Sequence, residues 1–150
     1  MRAWWLWTFF DWLRHQERQR RVRQGTLRPE HAVGQQGEDL AHRYLQSQGY
    51  TVIERNWRSF SGLQEVDLVA LDGGQIVFVE VKTRRHARDA APERNIDTVK
   101  LAALRYCALQ LEHYPKVDPR AIRCDFVGVV LEPKLQIEHQ VDALNLWPRR

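Results

Sequence analysis

The sequence predicts an α/β domain, a mixed β-sheet flanked by helices in the order α-β-β-β-α-β-β, and three observations carry that expectation. Apolar residues between 31 and 48 recur at intervals of three and four. Two apolar runs flank Asp72-Gly73-Gly74, and a second helical pattern separates them from a further pair of strand-like runs. The chain of 150 residues, 43% hydrophobic and 28% charged, is the size of one domain with its own core.

Residues 1–29 read differently from residues 30–150. The first segment holds seven arginines (2, 14, 18, 20, 21, 23 and 28) against Asp11 and Glu17, a net +5, while the remainder is −1. It also holds Trp4, Trp5, Trp7 and Trp12 of the six tryptophans. We treat it as a basic, aromatic N-terminal extension. Its apolar stretch, Ala3 to Phe10, is far shorter than the ~20 residues of a spanning helix, and no small-residue cleavage site follows it. Three readings fit this composition: an interfacial helix on an anionic membrane surface, a nucleic-acid-binding arm, or a surface tail. Cys107 and Cys124 supply neither a disulfide framework nor CxxC metal spacing, which predicts a reduced, cytoplasmic protein.

Gly25 to Pro29 form a linker. Val33, Gly37, Leu40, Ala41, Tyr44 and Leu45 then mark an amphipathic helix over 31–48, stopped by Gly49, with Gln35, Glu38, His42 and Gln46 along its polar edge. Tyr50 to Trp57 is rich in β-formers and leads into a polar turn over 58–62. Leu63 to Leu71 and Gln75 to Lys82 are the next strands, and the glycines between them supply the positive φ angles of a tight hairpin. A polar stretch from Thr83 to Ala90 follows. Pro92 opens a second helix whose apolar face is read as Ile96, Val99, Ala103, Tyr106, Ala108 and Leu109. Ala121 to Leu131 is a further strand, and Leu135 to Gln140 is its short partner.

The chemistry concentrates in the hairpin. On a strand, Ile76, Phe78, Glu80 and Lys82 share one face and Val77, Val79 and Val81 the other. An acid and a base thus extend a face that begins apolar, and both need a partner, a metal or solvent, because a lone buried charge costs several kcal/mol. Glu65 and Asp67 stand in the same way within the preceding apolar run. Paired by the turn, these strands bring carboxylates within roughly 5–8 Å of one another. Carboxylate oxygens around an open position suit Mg²⁺ or Mn²⁺, and a neighbouring lysine orients water or stabilises charge on a phosphate. Arg84 and Arg85 follow the acids, and Arg55 and Arg58 precede them, where they would hold phosphates that carboxylates repel. His86, His113 and His139 lack metal-ligand spacing and are read as surface or structural, and Asp125 as an ion-pair partner of Arg123.

Asp67, twelve intervening residues and Glu80-Val81-Lys82 resemble the D...ExK core of the PD-(D/E)xK, or restriction-endonuclease-like, nuclease superfamily. Gly37-Glu38, Asn56, Glu65-Val66-Asp67-Leu68-Val69, Val77 to Arg84 and Arg123-Cys124-Asp125 resemble more specifically the bacterial YraN family, over about residues 31–140. That family is similar in fold to Holliday junction resolvases. The resemblance implies a restriction-endonuclease-like fold for the nuclease-like domain over 30–150, with Glu38, Asp67, Glu80 and Lys82 as the nuclease quartet. It implies a basic DNA-facing position at Lys100, and a homodimer of the kind resolvases form. One departure stands out: the usual Gly-Glu-Ile-Asp reads Gln64-Glu65-Val66-Asp67 here.

The expected function is a Mg²⁺- or Mn²⁺-dependent nuclease-like protein that binds or cleaves DNA, branched DNA included. Asp67, Glu80 and the Val81 carbonyl would hold the metal, Glu38 would complete the site through water, and Lys82 would position the attacking water. Arg58, Arg84, Arg85 and Lys100 would contact nucleic acid. The alternative is a non-catalytic nucleic-acid-binding or assembly module that retains the nuclease fold.

Overall fold

The computed structural model describes residues 4–89 and 98–147, and side chains from Leu13 onward. Helices α1 (Trp4–Arg23) and α2 (Pro29–Ser47) precede strands β1 (Thr51–Arg58), β2 (Glu65–Asp72) and β3 (Gln75–His86). Helix α3 (Thr98–Gln110) leads to strands β4 (Arg123–Glu132) and β5 (Gln136–Gln140). One five-stranded sheet of order β1-β2-β3-β4-β5 results, antiparallel except for the parallel β3–β4 pair, and α3 lies on the connection between those two strands. This mixed sheet flanked by helices is the restriction-endonuclease-like architecture that the sequence predicts.

The central position of β3 follows from its residues. Val77, Phe78, Val79, Glu80 and Val81 are all buried, so neither face of the strand meets water. On one face Val77, Val79 and Val81 pack with Leu68, Val127 and Val129 beneath Ala41 and Leu45 of α2. On the other, Phe78 packs with Val66, Val69 and Cys124 beneath Leu104, Cys107 and Ala108 of α3. The hairpin forms as expected, with Asp72 opposite Gln75 and φ of 55° at Gly73 and 91° at Gly74.

Two details differ from the sequence reading. Strand β3 runs on through Thr83 to His86, because Thr83, Arg84 and His86 pair with Val129, Val130 and Glu132 of β4, and backbone pairing outweighs polar composition. Helix α3 turns inward a face that overlaps the expected one only in part: Ala108 is buried as expected, but Val99, Tyr106 and Leu109 are exposed, and Leu104 and Cys107 are buried in their place. That face packs on Val66, Phe78 and Cys124 of the sheet and on the C-terminal segment, whose Leu144 and Leu146 are buried in the same core, with Arg105 Nε donating to the Leu146 carbonyl at 2.5 Å. The expected helix opening at Pro92 lies outside the described residues.

Asp125 is fully buried on β4 and is satisfied by Arg123 (Nε 2.8 Å, Nη2 3.0 Å), His139 Nε2 (2.9 Å) and the Asp142 N–H (2.9 Å). Burial pushes its carboxyl up, but these hydrogen bonds outweigh burial and hold it below the ordinary carboxylate range. Asp125 is thus an ion-pair anchor, as the sequence suggests, and His139 is structural.

Helix α2 approaches β3 most closely at Gly37. A Cβ there would lie 1.7 Å from Thr83 Oγ1 and 2.6 Å from Thr83 Cβ, so glycine sets the helix-to-sheet spacing beside Glu38 and Lys82. We expect Gly37→Ala to destabilise the protein by about 1–3 kcal/mol in urea unfolding. An unchanged midpoint and slope would show that the contact is not close.

Candidate active site

The hairpin strands cease to pair backbone to backbone beyond Leu68 and Val79, and a carboxylate takes over. Asp67 Oδ2 accepts the Val81 N–H at 2.7 Å, which seats the aspartate between the separating strands. One position further along β3 from Val79, Glu80 is only 2% exposed and points under α3. Its Oε1 lies 2.7 Å from Lys82 Nζ and its Oε2 lies 2.7 Å from Lys100 Nζ, which also donates to the Glu65 carbonyl at 3.4 Å. The structure therefore brings Asp67, Glu80, Lys82 and Lys100 into one cluster. Lys82 is half exposed and faces its solvent side.

Glu38 borders this cluster from α2. Its Oε2 accepts from Asn56 Nδ2 at 3.2 Å and lies 3.7 Å from Arg55 Nη2. Asn56 stands between the pairs Arg55–Leu68 and Trp57–Val66, opposite Asp67, with φ of +51°. Asparagine tolerates this left-handed conformation better than most residues, and local strain of this kind gathers at functional sites. The resemblance names Asn56, but its role as the hydrogen-bond donor to Glu38 is visible only in three dimensions.

The arginines separate into different settings. Arg55 is tied to α2 rather than free for phosphate, since its Nη1 lies 2.7 Å from Asp39. Arg58 is exposed and pairs with Glu65 at 3.0 Å, and Arg85 is exposed 4.0 Å from Glu132. Arg84 donates to the carbonyls of Ala87 and Asp89 and folds the chain after β3 back on itself. Gln64, where the resemblance has glycine, needs no glycine-like backbone: its Oε1 accepts from Ser59 and Ser61, and its N–H donates to Ser59 Oγ, closing the β1–β2 loop.

The electrostatics follow from burial of like charges. Burial and the Glu80 carboxylate push Asp67 up to about 7, against the Val81 N–H and the charge of Lys100. Burial raises Glu38 despite the Asn56 hydrogen bond and Arg55. Burial alone would lower Lys100, but the adjacent Glu80 outweighs it and the ammonium is held more firmly charged. Burial pushes the Cys107 thiol up to about 11 and Cys124 well above its ordinary value, so neither is primed as a thiolate nucleophile.

Among the described residues no three His, Cys, Asp or Glu side chains stand close enough to cage a metal. The donor set that is present still fits Mg²⁺, which commonly takes one or two carboxylates and keeps several waters. Two observations support that fit. Glu80 is nearly buried, and both of its oxygens take cationic partners, the ammoniums of Lys82 and Lys100. Asp67 is raised first by burial and then by the neighbouring Glu80 carboxylate, and a cation beside both acids would relieve that repulsion.

A family model described as "Uncharacterised protein family UPF0102" matches residues 37–129, which include Glu38, Asn56, Asp67, Glu80, Lys82 and Lys100. A UPF0102 protein of Solibacter usitatus is 48% identical over 105 residues, 70% of this chain and 80% of that protein. One from Rhodococcus opacus is 41% identical over 114 residues, covering 75% and 95%. One from Streptomyces griseus is 45% identical over 101 residues, covering 67% and 83%.

The raised Asp67 gives a signed pH dependence. The folded protein keeps a proton that the unfolded chain releases near 3.8, so the cost of ionising Asp67 is absent in acid, grows as pH rises, and is complete above about 7. Asp67→Asn removes this cost. Without metal, the variant should melt a few degrees above wild type near pH 8, with the gap closing towards about pH 5. A variant melting below wild type near pH 8 would contradict the repulsion.

Proposed function

The chain belongs to the UPF0102 family, and we propose that within it this protein is a Mg²⁺-dependent nuclease-like enzyme that binds DNA, branched DNA included, and hydrolyses phosphodiesters. The observation that carries the reading is Asp67, fixed by the Val81 N–H beside a buried Glu80 that is shared by Lys82 and Lys100. Acids alone would repel a phosphate, and lysines alone would hold it without a means of hydrolysis.

Asp67 and Glu80 would hold the metal, with the Val81 carbonyl as a third oxygen, and the ion would supply Lewis-acid polarisation of the phosphate and a more acidic bound water. The chain's own groups do the rest. Lys82, tethered to Glu80 at 2.7 Å and half exposed, orients the attacking water and offsets charge on the phosphate. Lys100 pairs with the second oxygen of Glu80 and offsets its buried charge. Glu38, fixed by Asn56, accepts a hydrogen bond from water at the margin of the site. Exposed Arg58 and Arg85 receive the DNA backbone, and Arg84 stiffens the turn after β3.

One observation favours a second reading. Both oxygens of Glu80 already have an ammonium partner, so the cluster is electrically supported by protein alone. A non-catalytic nucleic-acid-binding or assembly module would keep such a cluster as structure.

Cleavage of branched, flapped and linear DNA with Mg²⁺ or Mn²⁺ separates the two. We expect turnover by wild type and a loss of at least about a hundredfold in Asp67→Ala and in Lys82→Ala. Wild-type cleavage persisting unchanged in either variant would refute the mechanism. A melting scan is the inexpensive companion: Mg²⁺ at a hundredfold excess over its dissociation constant adds about 2.7 kcal/mol of stability. DNA binding with neither turnover nor a Mg²⁺ shift would favour the binding module.

A further inference from the structure

A chain of alternating charges joins the N-terminal helix to the carboxylate site. Arg18 Nη1 of α1 lies 2.5 Å from Asp39 Oδ2, and Asp39, on α2, is only 7% exposed. The other oxygen of Asp39 lies 2.7 Å from Arg55 Nη1 on β1. The second terminal nitrogen of the same guanidinium, Nη2, lies 3.7 Å from Glu38 Oε2. Arg20, Arg21 and Arg23 are exposed along α1, whereas the Arg18 side chain is 11% exposed and turned inward.

We infer that Arg18 and Asp39 are positioning residues of the site: together they fix the guanidinium of Arg55 and, through it, the Glu38 carboxylate. What Glu38 is positioned to do rests on the nuclease reading above. The fork of an arginine is planar and rigid, so where Nη1 is held decides where Nη2 points. Arg18 occupies Oδ2 of Asp39 and leaves Oδ1 for Arg55, which then has Nη2 to spare for Glu38.

Without Arg18, a nearly buried aspartate keeps one cation, and the stable arrangement is a two-pronged pairing of Arg55 with both Asp39 oxygens. That rotation withdraws Nη2 from Glu38, and the 3.7 Å contact is the weaker of the two that Arg55 makes. Glu38 then rests on Asn56 while the charges of Glu65 and Asp39 repel it. Helix α1, which lies outside the residues matched by the family model, is therefore a working part of the site.

Four proteins test this: wild type, Arg18→Ala, Glu38→Gln and the double variant, with Arg18→Lys as the conservative control. At saturating branched DNA with Mg²⁺, Arg18→Ala should lower kcat about tenfold with KM within about twofold, and the same substitution should have little effect in the Glu38→Gln background. Arg18→Lys, which keeps a cation facing Asp39, should recover most of the loss. A change confined to KM and its salt dependence would make Arg18 a phosphate contact, and a lowered melting temperature with kcat intact would make it a packing residue; either overturns the inference. Melting temperatures of the four proteins without DNA or metal give a readout independent of activity. Positioning predicts that the effects of Arg18→Ala and Glu38→Gln are not additive, although Asp39 and Arg55 stand between them, and additivity overturns it. If wild type cleaves no DNA, the nuclease reading fails and the melting cycle alone decides the positioning claim.

Discussion

A carboxylate on the central strand of a sheet, closed over by a helix, obliges the rest of the chain to bring cations to it. Glu80 is that group, and an isolated charge in its place would cost several kcal/mol. Lys82 comes from the same strand two residues on, and Lys100 from the first turn of α3, so the helix is tied to the sheet by charge at one end and by Leu104, Cys107 and Ala108 further along. Helix α3 also lies on the connection that makes β3 and β4 parallel. The need to neutralise one side chain and the need to cover one face of the sheet are met by the same element.

Much of this was legible in the chain. Two glycines after Asp72 announce the hairpin, and the valine-rich run before Glu80 announces a strand with no wet face. Carboxylates inside apolar runs are rare enough to mark Asp67 and Glu80 for attention. The inward face of α3 was legible only at Ala108, because its sequence carries two apolar stripes, and the choice between them falls to packing against distant residues of the sheet and of the segment around Leu144 and Leu146. Nor was the setting of Arg55, since an arginine beside a predicted site reads as a phosphate ligand until Asp39 is found next to it. Pairing partners far apart in sequence leave no periodic trace in either element.

The basic extension also divides in a way that counting charges hides. Its net +5 treats every arginine alike, yet Arg18 faces a buried aspartate while Arg20, Arg21 and Arg23 face solvent. Leu27, beyond the helix, is buried as well, so the segment is anchored at two points to the body. Among the described residues no helix is long and apolar enough to cross a membrane. Structure and long-range electrostatics are thus carried by neighbouring residues of the same helix.

The tight turn at Gly73 and Gly74 has a consequence for how the molecule assembles. Local contacts close before distant ones, and the turn joins the strands that carry Asp67 and Glu80 while Lys100 belongs to a later helix and Glu38 to an earlier one. During folding the two acids therefore meet before Lys100 and the α2 residues reach them. Lys82, carried on the same strand as Glu80, is the cation that arrives with the hairpin, so the pair of acids is only partly compensated until α3 brings Lys100 to the second oxygen of Glu80.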